Sequence, residues 1–179
     1  GKVEHEAATI KGMMQRSCSG SRQSVVFWPC GTIYGGGWTK YFNFDSVEPQ
    51  QDNTYFNDTA PTASVFSVDT NNAVNGNTNE HIAYCFHSVE GYSKVGIFIG
   101  TGDADAGAFI YTGFKPAFAI VRSASVGDDW MMLDDARSPI NAIEKSLAAN
   151  DPKAEIDASG KAVDFVSNGI KMRNDDNGL

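Results

Sequence analysis

The chain has 179 residues, of which 41% are hydrophobic and 20% charged, and it carries a formal net charge of -8 with a pI near 4.7. Its length allows one domain or two small ones, either able to bury a core. An acidic surface repels phosphate backbones, whose binding needs Lys and Arg to displace counterions, and no apolar run approaches the ~20 residues of a membrane helix, so neither nucleic acid nor membrane insertion is expected.

The start, Gly1 to Ile10, lacks the apolar core of a signal peptide, and the chain is expected to be soluble as given. Short apolar runs then recur between turn-formers: Ser24–Trp28, Lys40–Phe44, Val65–Val68, His81–Phe86, Val95–Ile99, Phe109–Tyr111, Ala117–Val121, Trp130–Leu133 and Val163–Val166. Runs of this length bounded by Gly, Asn, Asp and Ser predict strands. In His81–Phe86 and Val95–Ile99 both alternating faces are largely apolar, which predicts strands covered on two sides, as in a two-layer sandwich. One stretch, near 138–149, predicts a short helix: Ser138 caps it, Pro139 takes the first helical position, and Ile140, Ile143 and Leu147 share a face. The expected fold class is all-β, with jelly-roll-like β-sandwich units in tandem.

The tandem follows from self-similarity. Arg16-Ser17 recurs as Arg122-Ser123, and at the same spacing Val25-Val26-Phe27 recurs as Met131-Met132-Leu133. One residue closer, Lys40 recurs as Lys145. Farther on, Ala63-x-x-Phe66 recurs as Ala162-x-x-Phe165, with Asn75 matching Asn174 at that offset. The colinear order divides the chain into a first β unit, 1–88, lacking its opening strand, and a second, 89–179, lacking its closing strand. His81–Phe86 closes the first copy, and its equivalent in the second falls after Leu179. A sheet short of a strand exposes an edge, which proteins pair or cover. Three readings stay open: a fragment of a longer polypeptide, a strand supplied by a neighbouring subunit, and pairing between the copies.

Chemistry-bearing residues are sparse. Cys18, Cys30 and Cys85 have no CxxC spacing and are expected to be reduced, mostly buried thiols. His5, His81 and His87 lack the spacing of a ligand pair, so structural roles are expected. Tyr34 and Trp38, two amphipathic rings beside Gly31, Gly35, Gly36 and Gly37, are the candidate ligand-binding pair; packing into a core or between copies is the commoner fate of such rings. Asp103 and Asp105, with Gly107, resemble the opening of a calcium loop, but no bidentate Glu follows, so they are weak candidates and no metal or cofactor is expected. Asn174-Asp175-Asp176-Asn177 is a similar acidic turn. No G-x-S-x-G elbow occurs, and Gly100-x-Gly102 is followed by no convincing helix that could present phosphate with an N-terminus.

The wording of the second copy is distinctive: Tyr84-Cys85-Phe86, Val89-Glu90-Gly91-Tyr92-Ser93-Lys94, Gly100-Thr101-Gly102, Ala104-Asp105, Phe109-Ile110-Tyr111-Thr112-Gly113-Phe114-Lys115-Pro116-Ala117, Trp130, and Asp164-Phe165-Val166-Ser167-Asn168-Gly169. It resembles a tandemly repeated domain of unknown function carried by tail-fibre and other virion proteins of tailed phages. The first copy resembles the same domain through Met13-Met14, Asn57-Asp58-Thr59-Ala60-Pro61-Thr62, Ser64-Val65-Phe66-Ser67-Val68 and His81–Phe86. The chain departs from the family pattern at Gly31-Thr32-Ile33-Tyr34-Gly35-Gly36-Gly37-Trp38 and at Gly102-Asp103-Ala104-Asp105-Ala106-Gly107, so a role placed on these loops belongs to this protein alone.

The resemblance implies a structural protein of the virion, in a tail fibre or surface appendage, with host attachment through its loops as an added role. Its implied partners are other virion subunits in a homo-oligomer, plausibly a trimer, and a host-surface glycan. No catalytic residues are expected, and the chain is read as a non-enzyme. The alternatives are a polysaccharide depolymerase, which needs two carboxylates at glycosidase spacing and an acid of raised pKa, and a decoration module without a ligand.

Overall fold

A computed structural model describes residues 11–16, 25–27, 37–62, 64–157 and 159–176. The fold is all-β, and its residues group into two compact units: 1–45 with 50–88, and 46–49 with 89–179. A division at 88/89 assigns 46–49 to the first unit, whereas the structure groups those residues with the second.

In the first unit, β1 (Lys11–Arg16), β2 (Val25–Phe27), β3 (Lys40–Asn43), β4 (Gln51–Asp52) and β5 (His81–Phe86) form one antiparallel sheet in the order β4-β3-β2-β1-β5. A 3-10 turn, Gly37–Thr39, leads into β3. Among the described residues Tyr41, Phe56 and Val74 form a buried cluster, with Trp38, Tyr55, Phe66, Val68 and Ala73 packed around them. Burial and the neighbouring Tyr55 push the Tyr41 hydroxyl up to about 12. Among these residues Tyr41 comes from a strand, and the others come from turns and irregular chain. Val74 enters on a single helical turn, α1 (Asn72–Asn75), where the Asn71 side chain accepts from the Ala73 N–H at 2.9 Å and so caps the turn.

The second unit has two sheets. β7 (Phe118–Val121), β8 (Met131–Asp134), β9 (Lys145–Ala148) and β10 (Ile156–Asp157) form an antiparallel meander, while β6 (Phe109–Tyr111), β11 (Val163–Val166) and β12 (Gly169–Met172) form a three-stranded sheet in the order β11-β12-β6. One apolar cluster joins them: Leu133 and Ile143 from the meander side meet Val163, Phe165, Ile170 and Met172, with Ala119, Val121 and Ile110 at the margin. Strand periodicity explains the set. Ala119 and Val121 face Leu133 and Met131 on the inner surface, so Phe118 and Ile120 point outward. At the second sheet, a Cβ on Gly169 would run into the Ile110 carbonyl and the Phe109 ring, so only glycine lets β12 lie this close to β6.

The two meanders match. Met14 faces Val26 as Ile120 faces Met132, at the offset that carries Arg16 to Arg122. Lys40 faces Asp52 as Lys145 faces Asp157. Between the middle strands the ladder slips by one residue: Val26 faces Asn43, while Met132 faces Leu147 rather than Ala148.

Several expectations are corrected. The stretch near 138–149 is no helix: Ile143 bridges Val163, and Lys145–Ala148 is β9, burying Ser146 and Ala148 at strand period between β8 and β10. Ladder pairing on both sides outweighs a local helical pattern whose supposed face includes Ile140, a strongly exposed residue. Among the described residues the one α-helical turn lies at 72–75 instead. Residues 65–68 and 95–99 lie outside the strands; Phe66, Val68 and Phe98 nevertheless pack against the two cores from irregular backbone. Residues 82–86 of β5 are exposed on both faces, so no layer of the described residues covers either, and the free Cys85 is exposed rather than buried. Cys18 and Cys30 lie outside the described residues.

Candidate interaction surface

Each sheet ends in two edge strands, and the edges differ in character. β4 and β10 have two residues each and carry Asp52 and Asp157. β11 buries alternate residues, and its Asp164 accepts from Arg173 Nε at 2.6 Å. Short, charged or side-chain-covered edges resist further pairing. Among the described residues β5 and β7 have none of these protections, and β6, though only three residues long, carries no charge. Ile82, Tyr84 and Phe86 on β5 are 52%, 47% and 49% exposed, and Phe118 and Ile120 on β7 are 55% and 44% exposed. Phe109 and Tyr111 on β6 are also exposed. None of the three strands contains Asp, Glu, Lys, Arg or Pro. Across the outer face of the meander, Ile120, Met132 and Leu147 stand in one lateral row and extend the apolar surface inward from β7.

The residues singled out from sequence do not converge on a site. Tyr34 lies outside the described residues. Trp38 rests against the Tyr41–Phe56–Val74 core, and its N–H donates to Asp58 Oδ1 at 2.8 Å, with Asn57 and Asp58 both held at positive φ. Asp103 Oδ1 accepts from the N–H groups of Asp105 and Ala106 at 2.9 and 2.8 Å, which shapes a turn and holds its carboxyl below the ordinary range. Among the described residues no group of three His, Cys, Asp or Glu side chains could hold a metal ion. Asn174 is buried, donating to the Ala162 carbonyl at 3.0 Å and accepting from the Asp176 N–H at 3.2 Å. His81 departs from the expected satisfied role: both its ring nitrogens are buried without a hydrogen-bond partner among the described residues.

Sequence reasoning missed a polar cluster that lies in the second unit. The Arg122 guanidinium sits 5.1 Å from the centre of the Trp130 ring and donates to the carbonyls of Ser46, at 2.6 Å, and Glu48. Burial pulls its pKa down against the pull of Asp128, Asp129 and Glu48. Burial also pushes the Asp128 and Asp129 carboxyls up, but Lys161 and the Asp129 N–H on the first, and Lys153 and Asn150 on the second, leave both below the ordinary value. Lys153 is raised by its bond to Asp129. Every charge here has an opposite neighbour, the mark of a structural lock between β7, β8 and the 46–49 segment. The adjacent Asp128-Asp129-Trp130 was the available signal, though nothing in it announces Lys153, Lys161 or the distant carbonyls.

Comparison with known families gives one assignment. Residues 7–179 match the model described as Domain of unknown function (DUF7483). The chain belongs to that family. The DUF7483 match takes in both units, so the exposed edges of β5, β6 and β7 all lie inside the family domain. No curated protein and no solved structure matches.

Proposed function

We propose that this chain is a structural module of a phage virion, part of a tail fibre or surface appendage, which acts by assembling with like subunits through its strand edges. The observation that carries the reading is the contrast among edges: three are uncharged and display large apolar side chains, while the others are short, charged or covered. Exposed edges of that kind are what natural proteins avoid unless another chain pairs with them. The resemblance to virion domains, drawn from Val89–Ala117 above all, supplies the setting.

The depolymerase alternative needs a carboxylic acid of raised pKa. Among the described residues, the carboxyls of Asp52, Asp69, Asp103, Asp128 and Asp129 are all shifted down, which weighs against it. Sedimentation across a concentration series tests the assembly reading: the mass should rise above that of one chain, and a single-chain mass at every concentration would overturn it.

A further inference from the structure

The two meanders differ on one flank. In the first unit β1 is covered by β5 through a six-residue antiparallel ladder, from Lys11 opposite Phe86 to Arg16 opposite His81. The strand equivalent to β1 in the second unit is β7, which keeps the same pairing to its inner neighbour. Among the described residues β7 pairs only with β8, and its other flank carries no ladder. Among the described residues β5 too is paired on one side only, with β1.

We propose that β5 of one copy adds its free edge to β7 of a second copy, joining their sheets by an antiparallel ladder. The inference rests on the assembly reading and names its partner. The first unit shows which kind of strand this flank accepts: His81-Ile82-Ala83-Tyr84-Cys85-Phe86 lies against the β1 equivalent of β7. Neither strand contains Asp, Glu, Lys or Arg, so their approach brings no such charges together. β5 is long enough to span all four residues of β7, whereas β6 has three. Pairing gives partners to two rows of backbone groups and covers Ile82, Tyr84, Phe118 and Ile120 together, without breaking the β1 ladder. The contact joins two different patches, so each copy keeps one free β5 and one free β7 after the first association. Such a heterologous interface closes as a ring or propagates as a filament.

Charged blocks test this separately on each strand. One variant carries Phe118→Lys with Ile120→Lys, the other Ile82→Lys with Tyr84→Lys; all four side chains are exposed, and circular dichroism checks that each variant keeps its sheet. Wild type should associate, each variant alone should sediment as one chain, and an equal mixture should form a two-chain complex and nothing larger. Hydrogen exchange on wild type needs no substitution: amides of 82–86 and 118–121 should gain protection as concentration rises. Association of either blocked variant alone, or protection that stays constant at both strands, overturns the β5–β7 contact while leaving assembly by another surface standing. A wild type that is a single chain at every concentration overturns both.

Discussion

The β1–β4 meander and the β7–β10 meander share strand order and most of their register, yet they close their cores by different means. The second unit lays β11, β12 and β6 over its meander; in the first, the described residues that close the core lie in turns and one helical turn. A single position accounts for part of the difference. At the offset that carries Ala63, Phe66 and Asn75 to Ala162, Phe165 and Asn174, Gly169 falls on Thr70. Gly169 admits the Ile110 carbonyl where a Cβ would not fit, so the second unit can seat a strand there. Thr70 instead follows Asp69, whose carboxylate accepts from its N–H and from Thr54 Oγ1, and the chain turns. A repeated sheet thus tolerates two lids, provided the lid residues agree with the local backbone.

The largest expected effect separates the cores. Phe165→Ala should cost about 3–5 kcal/mol, read as a shift in the denaturant transition of the second unit. Phe56→Ala, equally buried, should act on the first unit and leave that transition in place; if both substitutions move every probe together, the units are not separate in stability.

Gly169→Ala comes next, at about 1–3 kcal/mol from overpacking, with faster amide exchange at β6 and β12 as its signature. The reverse change, Thr70→Gly, should recover no strand in the first unit.

Asp129→Asn should cost on the order of 1 kcal/mol, since it weakens one charge-assisted bond while keeping a polar group there. Its pH dependence has a definite sign. Asp128 and Asp129 have folded pKa values below their unfolded ones, so their contribution is full above an unfolded value of about 3.9 and is lost as pH falls through the folded values. Lys153, shifted up, contributes fully below an unfolded value of about 10.4 and loses that contribution as pH climbs through its folded value. Stability measured against pH should therefore be level near neutrality and fall in acid, and Asp129→Asn should shallow the acid limb. Smallest of all, Asp52→Asn at the exposed Lys40–Asp52 pair, 2.5 Å apart, should give no measurable change in stability.

Much of this architecture was legible in the chain. His81–Phe86, Phe109–Tyr111 and Val163–Val166 are strands with the predicted bounds, because apolar runs between turn-formers leave little choice. β1 was missed since Lys11, Gln15 and Arg16 frame only two adjacent apolar residues, and its ladder with β5 is set by partners remote in sequence. β4 and β10 are too short to show a period. In β12 the signal was present, Ile170 and Met172 alternating around Lys171, but two apolar residues are too few to stand out. Near 138–149 the sequence carried two conflicting signals, a helical spacing and the alignment of Lys145 with the strand residue Lys40; the repeat was the better guide, because it encoded tertiary pairing. The polar lock around Arg122 could not be read at all, since Ser46 and Glu48 offer main-chain carbonyls that no side chain advertises.

That lock bears on how the two units can be inherited. A recombination breakpoint at 88/89 would pass on the whole second meander and its lid, yet leave behind the four residues, 46–49, that belong with it. The recipient would gain Arg122 without the Ser46 and Glu48 carbonyls to which it donates. A breakpoint that keeps this set of bonds together has to carry 46–49 along with 89–179.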